Sequence, residues 1–200
     1  VAALIPRFYD PTQGTIYMDG IDIKQYSFEQ LREQIGVVPQ RAVLFTGTIE
    51  SNLKWGNEHA TKEQMEQALR IAQAEEFVSK LPKGLQTEVS QGGANFSGGQ
   101  RQRLTIARAL VGQPKILILD DSASALDYAT DAKLRMAIAK ETENMTVIIV
   151  SQRANSIRNA DKIIVLDQGH VMGIGTHQEL INTCPIYKEI CLSQMREDEL

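Results

Sequence analysis

Two short apolar runs, Ile116-Leu117-Ile118-Leu119 and Val147-Ile148-Ile149-Val150, constrain this chain more than any other feature. Each is too short for a helix and rich in branched side chains, so each reads as a strand buried on both faces of a sheet. Neither approaches the roughly 18 residues that cross a bilayer as a helix. A helix-length stretch, Ala129 to Thr142, separates them, which is the connection that parallel strands require. The first run ends in two carboxylates, Asp120 and Asp121. In open α/β sheets ligands gather at the carboxyl ends of strands. There one acid can hold magnesium beside phosphates, and a second can polarise an attacking water. The same pair reads equally as a turn cap at Asp121 and a solvated Asp120.

The flanking sequence extends this pattern. Thr15 to Asp19 alternates and meets Gly20, as a strand before a turn does. Ser27 caps a helix from Phe28 to Gln34, and Ile35 to Val38 is a strand stopped by Pro39. Thr61 and Gln64 form a capping box ahead of Met65, Leu69 and Ala72, and Glu75 to Leu81 adds another helical piece. From about Thr48 to Gly93 the pattern predicts a helical lobe without strands. Helices and strands then alternate to the end, closing with helices after Thr176 and Pro185. The expected fold is α/β. It has a mainly parallel sheet core (1–47 and 94–200), a small antiparallel piece within Asp10 to Ile23, and an inserted helical subdomain over about 48–93.

Composition removes several classes. Two hundred residues, 42% hydrophobic and 23% charged, exclude a disordered or low-complexity chain and can bury a core without disulfides or metals. A net charge of -4 argues against a broad nucleic-acid footprint. Cys184 and Cys191 match no metal-ligand spacing and read as ordinary reduced thiols. The chain opens on Val1-Ala2-Ala3-Leu4-Ile5, without Met or a signal pattern. That opening reads as the middle of a buried helix and predicts a protein that continues upstream.

A second constellation is Asn95-Phe96-Ser97-Gly98-Gly99-Gln100, leading into Arg101-Gln102-Arg103-Leu104. Ser97 suits an N-cap, and two glycines leave backbone N–H groups uncovered at a helix start, which suits an anion. Alone, the segment reads more simply as a capped helix with a glycine hinge. Order and spacing decide the matter. Ser-Gly-Gly-Gln, a helix, a strand ending in acids, and then Ser124-Ala125-Leu126-Asp127 resemble the nucleotide-binding domain of ABC transporters, a P-loop NTPase fold. The resemblance implies that Phe96 to Gln100 is the signature motif, with Phe where Leu is usual. Ser97, Gly98, Gly99 and Gln100 would then bind the nucleotide of a partner domain. Ile116 to Asp120 would be the Walker B strand, with Asp120 organising Mg2+. Ser124, Ala125, Leu126 and Asp127 would form the D-loop at the dimer interface. Gln40 would be the Q-loop glutamine, reaching the magnesium shell and reporting to a membrane domain. The implied cofactors are ATP and Mg2+.

The resemblance covers essentially the whole chain. Pro6 to Pro11, Gly14 and Asp19-Gly20 resemble the region after the family's phosphate loop. Arg41 to Phe45, Gly47-Thr48-Ile49 and Asn52-Leu53 resemble the exporter branch. Thr87 to Gly93 resembles the exporters' X-loop, which touches the cytoplasmic ends of membrane helices. Three departures accompany the match. No G-x-x-x-x-G-K-[ST] occurs, the loop that wraps phosphates with N–H groups and a Lys. The family places that loop just before the point where this chain begins, so the chain is expected to be truncated after it and to bind ATP poorly as given. Asp121 stands where a catalytic Glu is usual. Its carboxylate falls about 1 Å short of the water, a misplacement that can cost about 100-fold in rate. Gln152 stands where the switch-loop His is usual. A carboxamide can hydrogen-bond a phosphate oxygen but cannot carry charge or shuttle a proton. His59, His170 and His177 lie elsewhere and read as surface or packing residues.

The changes at Asp121 and Gln152 occur together in the degenerate half of heterodimeric ABC exporters. The resemblance therefore implies a second ABC half-transporter as partner, packed head-to-tail, with a weak site here and an intact signature serving the partner's site. It also implies attachment to a transmembrane domain through the Q-loop and X-loop, at the cytoplasmic face of the cell membrane, and no nucleic-acid partner. The alternative is a structural or regulatory module that handles no nucleotide itself.

Overall fold

A computed structural model describes residues 1–122, 125–141 and 144–194. The chain forms two compact units, Val1–Val150 and Ser151–Leu200.

The first unit opens with a single 3-10 turn, Ala2–Leu4, that buries none of its residues and so corrects the expected buried helix interior. A small antiparallel ribbon follows, β1 (Tyr17–Met18) and β2 (Ile21–Asp22). Asp19 and Gly20 join them with φ of 51° and 78°, the left-handed pair that a two-residue hairpin requires. α1 (Phe28–Arg32) starts at Ser27, whose hydroxyl and Gln30 form a reciprocal capping box. β3 (Ile35–Val38) follows. Next come β4 (Gly47–Thr48), α2 (Ile49–Lys54), α3 (Lys62–Ile71), α4 (Glu75–Ser79) and β5 (Glu88–Val89). The expected strandless lobe is corrected here. β4 and β5 pair antiparallel, Gly47 with Val89 and Thr48 with Glu88, and close the helical segment at its base. Two-residue strands carry too little periodicity to be read from sequence.

The sheet follows α5 (Gly98–Leu110). β6 (Ile116–Asp120) is its middle strand, α6 (Tyr128–Glu141) connects, and β7 (Thr146–Val150) lies beyond. β3, β6 and β7 are all parallel. Leu117, Ile118 and Leu119 are buried, as a doubly covered strand demands. β7 departs from expectation: its residues are half-buried or exposed. α5 packs between sheet and helical segment, burying Leu104, Ile106 and Leu110 in one core with Leu53, Leu69 and Leu117. Gly56 permits close packing there, because a Cβ would lie 1.9 Å from the Arg108 carbonyl.

The second unit contains α7 (Ala154–Ile157), the hairpin β8 (Ile163–Asp167) with β9 (His170–Gly175), α8 (His177–Thr183) and α9 (Pro185–Leu192). Ile163, Val165, Leu180, Tyr187 and Cys191 form its core. Both cysteines are free and buried. No described helix is long and apolar enough to cross a membrane.

His177 is a packing residue, as expected. Its Nδ1 meets the Tyr187 hydroxyl at 2.9 Å, while its buried Nε2 has no partner. Burial, reinforced by the Arg158 charge, lowers its pKa from 6.5. The unfolded chain therefore binds a proton more readily than the fold does, so stability rises with pH. We expect stability of this unit to be retained above about pH 6.5 and lost as pH falls below it. Thermal midpoints compared across that range, with His177→Asn flattening the dependence, check this.

Candidate functional site

Parallel register builds the first half of the site. Val38 pairs with Leu119, and extending the ladder by two residues sets Gln40 opposite Asp121. The Gln40 Nε2 donates to the Asp121 Oδ2 at 3.0 Å. Asp121 adopts φ 46°, a left-handed conformation that Asp tolerates better than most residues. Its backbone N–H donates to the Val150 carbonyl at 2.9 Å, which anchors the turn to β7. Asp120, half-buried, ends β6 directly before it. Gln40, Asp120 and Asp121 thus converge at the carboxyl end of the sheet. Their oxygens suit Mg2+, which takes one or two carboxylates and completes its shell with phosphates and water. Among the described residues no group of three or more His, Cys, Asp or Glu is placed to hold a metal ion.

The second half is the start of α5. The Ser97 Oγ accepts the Gln100 N–H at 3.2 Å, and the Gln100 Oε1 accepts the Ser97 N–H at 2.9 Å. This reciprocal cap leaves the Gly98 and Gly99 N–H groups without an intrahelical acceptor. Gly98 is exposed, and a Cβ there would meet nothing within 4 Å among the described residues, which suits an incoming anion. Gly99 lies against the 125–127 segment, since its Cβ would stand 3.4 Å from the Ala125 carbonyl. Leu126 is buried beneath that segment. Asp127 caps α6: its carboxylate accepts the Thr130 N–H at 2.9 Å and the Thr130 hydroxyl at 2.7 Å. Those bonds hold its pKa below the usual carboxylate value. Ser124 lies outside the described residues. Gln152 belongs to the second unit, where its carbonyl accepts the Gln194 Nε2 at 2.7 Å. His59 and His170 are exposed.

The structure gives roles to two residues of the second constellation that motif reading left without one. The Asn95 Oδ1 accepts both the Ser90 N–H and hydroxyl, and its Nδ2 donates to the Glu88 carbonyl at 2.8 Å. The Arg101 Nη1 donates to the Phe96 carbonyl at 2.6 Å. Together they fasten the 87–93 loop to the first turn of α5. Only the polar character of these side chains was visible beforehand. Phe96 is buried and packs edge-on to Phe77 at 6.4 Å between centroids, which accounts for an aromatic where Leu is usual.

Comparison with known proteins agrees with this geometry. The family model for ABC transporters matches residues 1–124. The chain belongs to the ABC transporter family. An uncharacterized ABC transporter ATP-binding protein of Mycobacterium bovis is 47% identical over 197 residues, covering 97% of this chain and 34% of that protein. A second, from Bacillus subtilis, is 46% identical and covers 96% and 33%. A solved bacterial Atm1-family ABC exporter with ATP bound superposes with a TM-score of 0.93 at 38% identity, covering 98% of this chain and 35% of that one. The chain spans about a third of the length of these curated relatives. Its α/β fold, a parallel sheet with small antiparallel sheets, matches that of an ABC nucleotide-binding domain.

The aromatic at position 96 gives a direct test. Phe96→Ala is expected to destabilise by about 3–5 kcal/mol. Phe96→Leu, which restores the usual residue, is expected to cost less than about 1.5 kcal/mol. Urea midpoints of the two variants measure the difference.

Proposed function

We propose that this domain belongs to one half of a heterodimeric exporter, with a slow ATP site of its own and a signature turn that completes its partner's faster site. Residues 48–93 serve as its helical subdomain, and 1–47 with 94–200 as its sheet-containing core. Bound ATP with Mg2+ supplies a phosphoanhydride to cleave and a cation that neutralises charge on the phosphates. Asp120 and Gln40 offer oxygens toward that cation. Asp121 accepts the proton of the attacking water, from a carboxylate about 1 Å too distant for fast reaction. Ser97, Gly98, Gly99 and Gln100 present their donors to the ATP held on the partner's phosphate loop. Ser124, Ala125, Leu126 and Asp127 run along the shared interface.

The observation that carries this reading is the Gln40–Asp121 hydrogen bond at 3.0 Å. It joins the Q-loop position to an acid one methylene shorter than the family's base. Support for export comes from relatives such as a multidrug efflux ATP-binding/permease protein of Mycobacterium bovis, 42% identical over 190 residues. The segment after Gln40 also carries an exposed aromatic pair, Phe45 and Trp55, 5.2 Å apart between centroids. With the 87–93 loop it offers a face for a transmembrane domain on the cytoplasmic side.

Mutagenesis of the full-length heterodimer tests the asymmetry. Removing the partner's catalytic Glu should abolish ATP turnover, whereas Asp121→Asn should change it little. Comparable losses from both changes would overturn the proposal. Ser97→Arg should block the partner's site and stop turnover, beyond the loss of about 1 kcal/mol expected for a missing cap.

A further inference from the structure

The guanidinium of Arg103 has no part in the chemistry above, yet it ties together three pieces of the first unit. Its Nε donates to the Gly99 carbonyl at 3.3 Å, and its Nη1 donates to the Gln73 carbonyl at 2.8 Å. Its Cζ lies 4.8 Å from the centroid of Phe77, the ring that packs edge-on to Phe96. One side chain therefore contacts the signature turn, the end of α3 and α4.

The acceptor on α3 is built for a cation. α3 ends in a Schellman turn, with Gln73 at φ 59° and the Ala74 N–H donating to the Leu69 carbonyl at 2.7 Å. The Gln73 carbonyl then sits at the negative end of the helix dipole, where a positive charge is stabilised. Burial opposes the charge on Arg103, and the carboxylates of Asp127 and Glu76 act to restore it. Asp127 is the residue that caps α6 beside the signature turn, so the charge balance also links Arg103 to that segment.

We propose that Arg103 is a positioning residue for the signature turn: through the Gly99 carbonyl, the Gln73 carbonyl and the Phe77 face it makes the helical subdomain and the Ser97–Gln100 donors move as one body. The guanidinium touches no nucleotide. It sets the direction in which the Gly98 and Gly99 N–H groups meet the partner's ATP. Its planar fork reaches two carbonyls while stacking on a ring, which a lysine ammonium does only in part. This inference rests on the reading that the signature turn completes the partner's site.

The test uses the full-length transporter with its partner and three variants: Arg103→Met, Arg103→Lys and Ser97→Arg. ATPase rates are normalised to folded protein and measured well below the melting temperature. Arg103→Met is expected to lower kcat between about tenfold and about 100-fold. KM for ATP is expected to stay within about threefold, because the nucleotide is held on the partner's phosphate loop. Arg103→Lys should recover part of the loss. Hydrogen exchange of the 98–104 segment should speed up in Arg103→Met while that of the central strand does not. Native-like turnover in Arg103→Met alongside a dead Ser97→Arg would overturn the role of Arg103 and leave the composite site standing. If Ser97→Arg also retains turnover, the composite-site reading falls, and this proposal falls with it.

Discussion

The parallel ladder between β3 and β6 is the constraint on which the site depends. Val38 pairs with Leu119, and the chain on each strand runs on for two residues to Gln40 and Asp121. Val38, Leu117 and Leu119 are buried, and a one-residue slip of either strand would set Gln40 opposite Asp120 or Ser122 instead of Asp121. The 3.0 Å contact between Gln40 and Asp121 is a consequence of that register. Hydrophobic packing in the sheet thus sets the geometry of polar groups at its end.

The signature turn is held by different means. Nothing covers Gly98, and the Ser97–Gln100 cap satisfies only part of the helix start. Its orientation comes from behind: Phe96 is sunk in the core, Arg101 grips the Phe96 carbonyl, and Arg103 spans to α3 and α4. The exposed donors are therefore free to meet a ligand while their backbone is fixed. A surface that binds in trans needs this combination, since its partner atoms lie on another chain.

Much of this was legible in the sequence, for physical reasons that differ by element. The caps at Ser27, Thr61 and Ser97 were readable because an N-cap is a local pattern of residue types. The buried strand β6 was readable from an unbroken branched run. β7 was read as buried on both faces but is half-buried or exposed, because an apolar run reports side-chain type and not how completely it is covered. β4 and β5 were missed, because two-residue strands 40 residues apart leave no pattern. The division at Val150 and Ser151 carries no Pro, Gly or charge run to mark it. Arg103 was invisible as a tie, since its acceptor at Gln73 is a backbone carbonyl with no residue-type signature.

The central claim is that the Ser97 turn faces nucleotide bound by another chain. A disulfide cross-link measures this most directly. Ser97→Cys is paired with a cysteine placed in the partner's phosphate loop, in the full-length heterodimer. Cys184 and Cys191 are 3% and 0% exposed and do not compete for the oxidant. The account predicts a cross-link that forms on mild oxidation with ATP and Mg2+ present and is weak without them. No cross-link in any nucleotide state would contradict it.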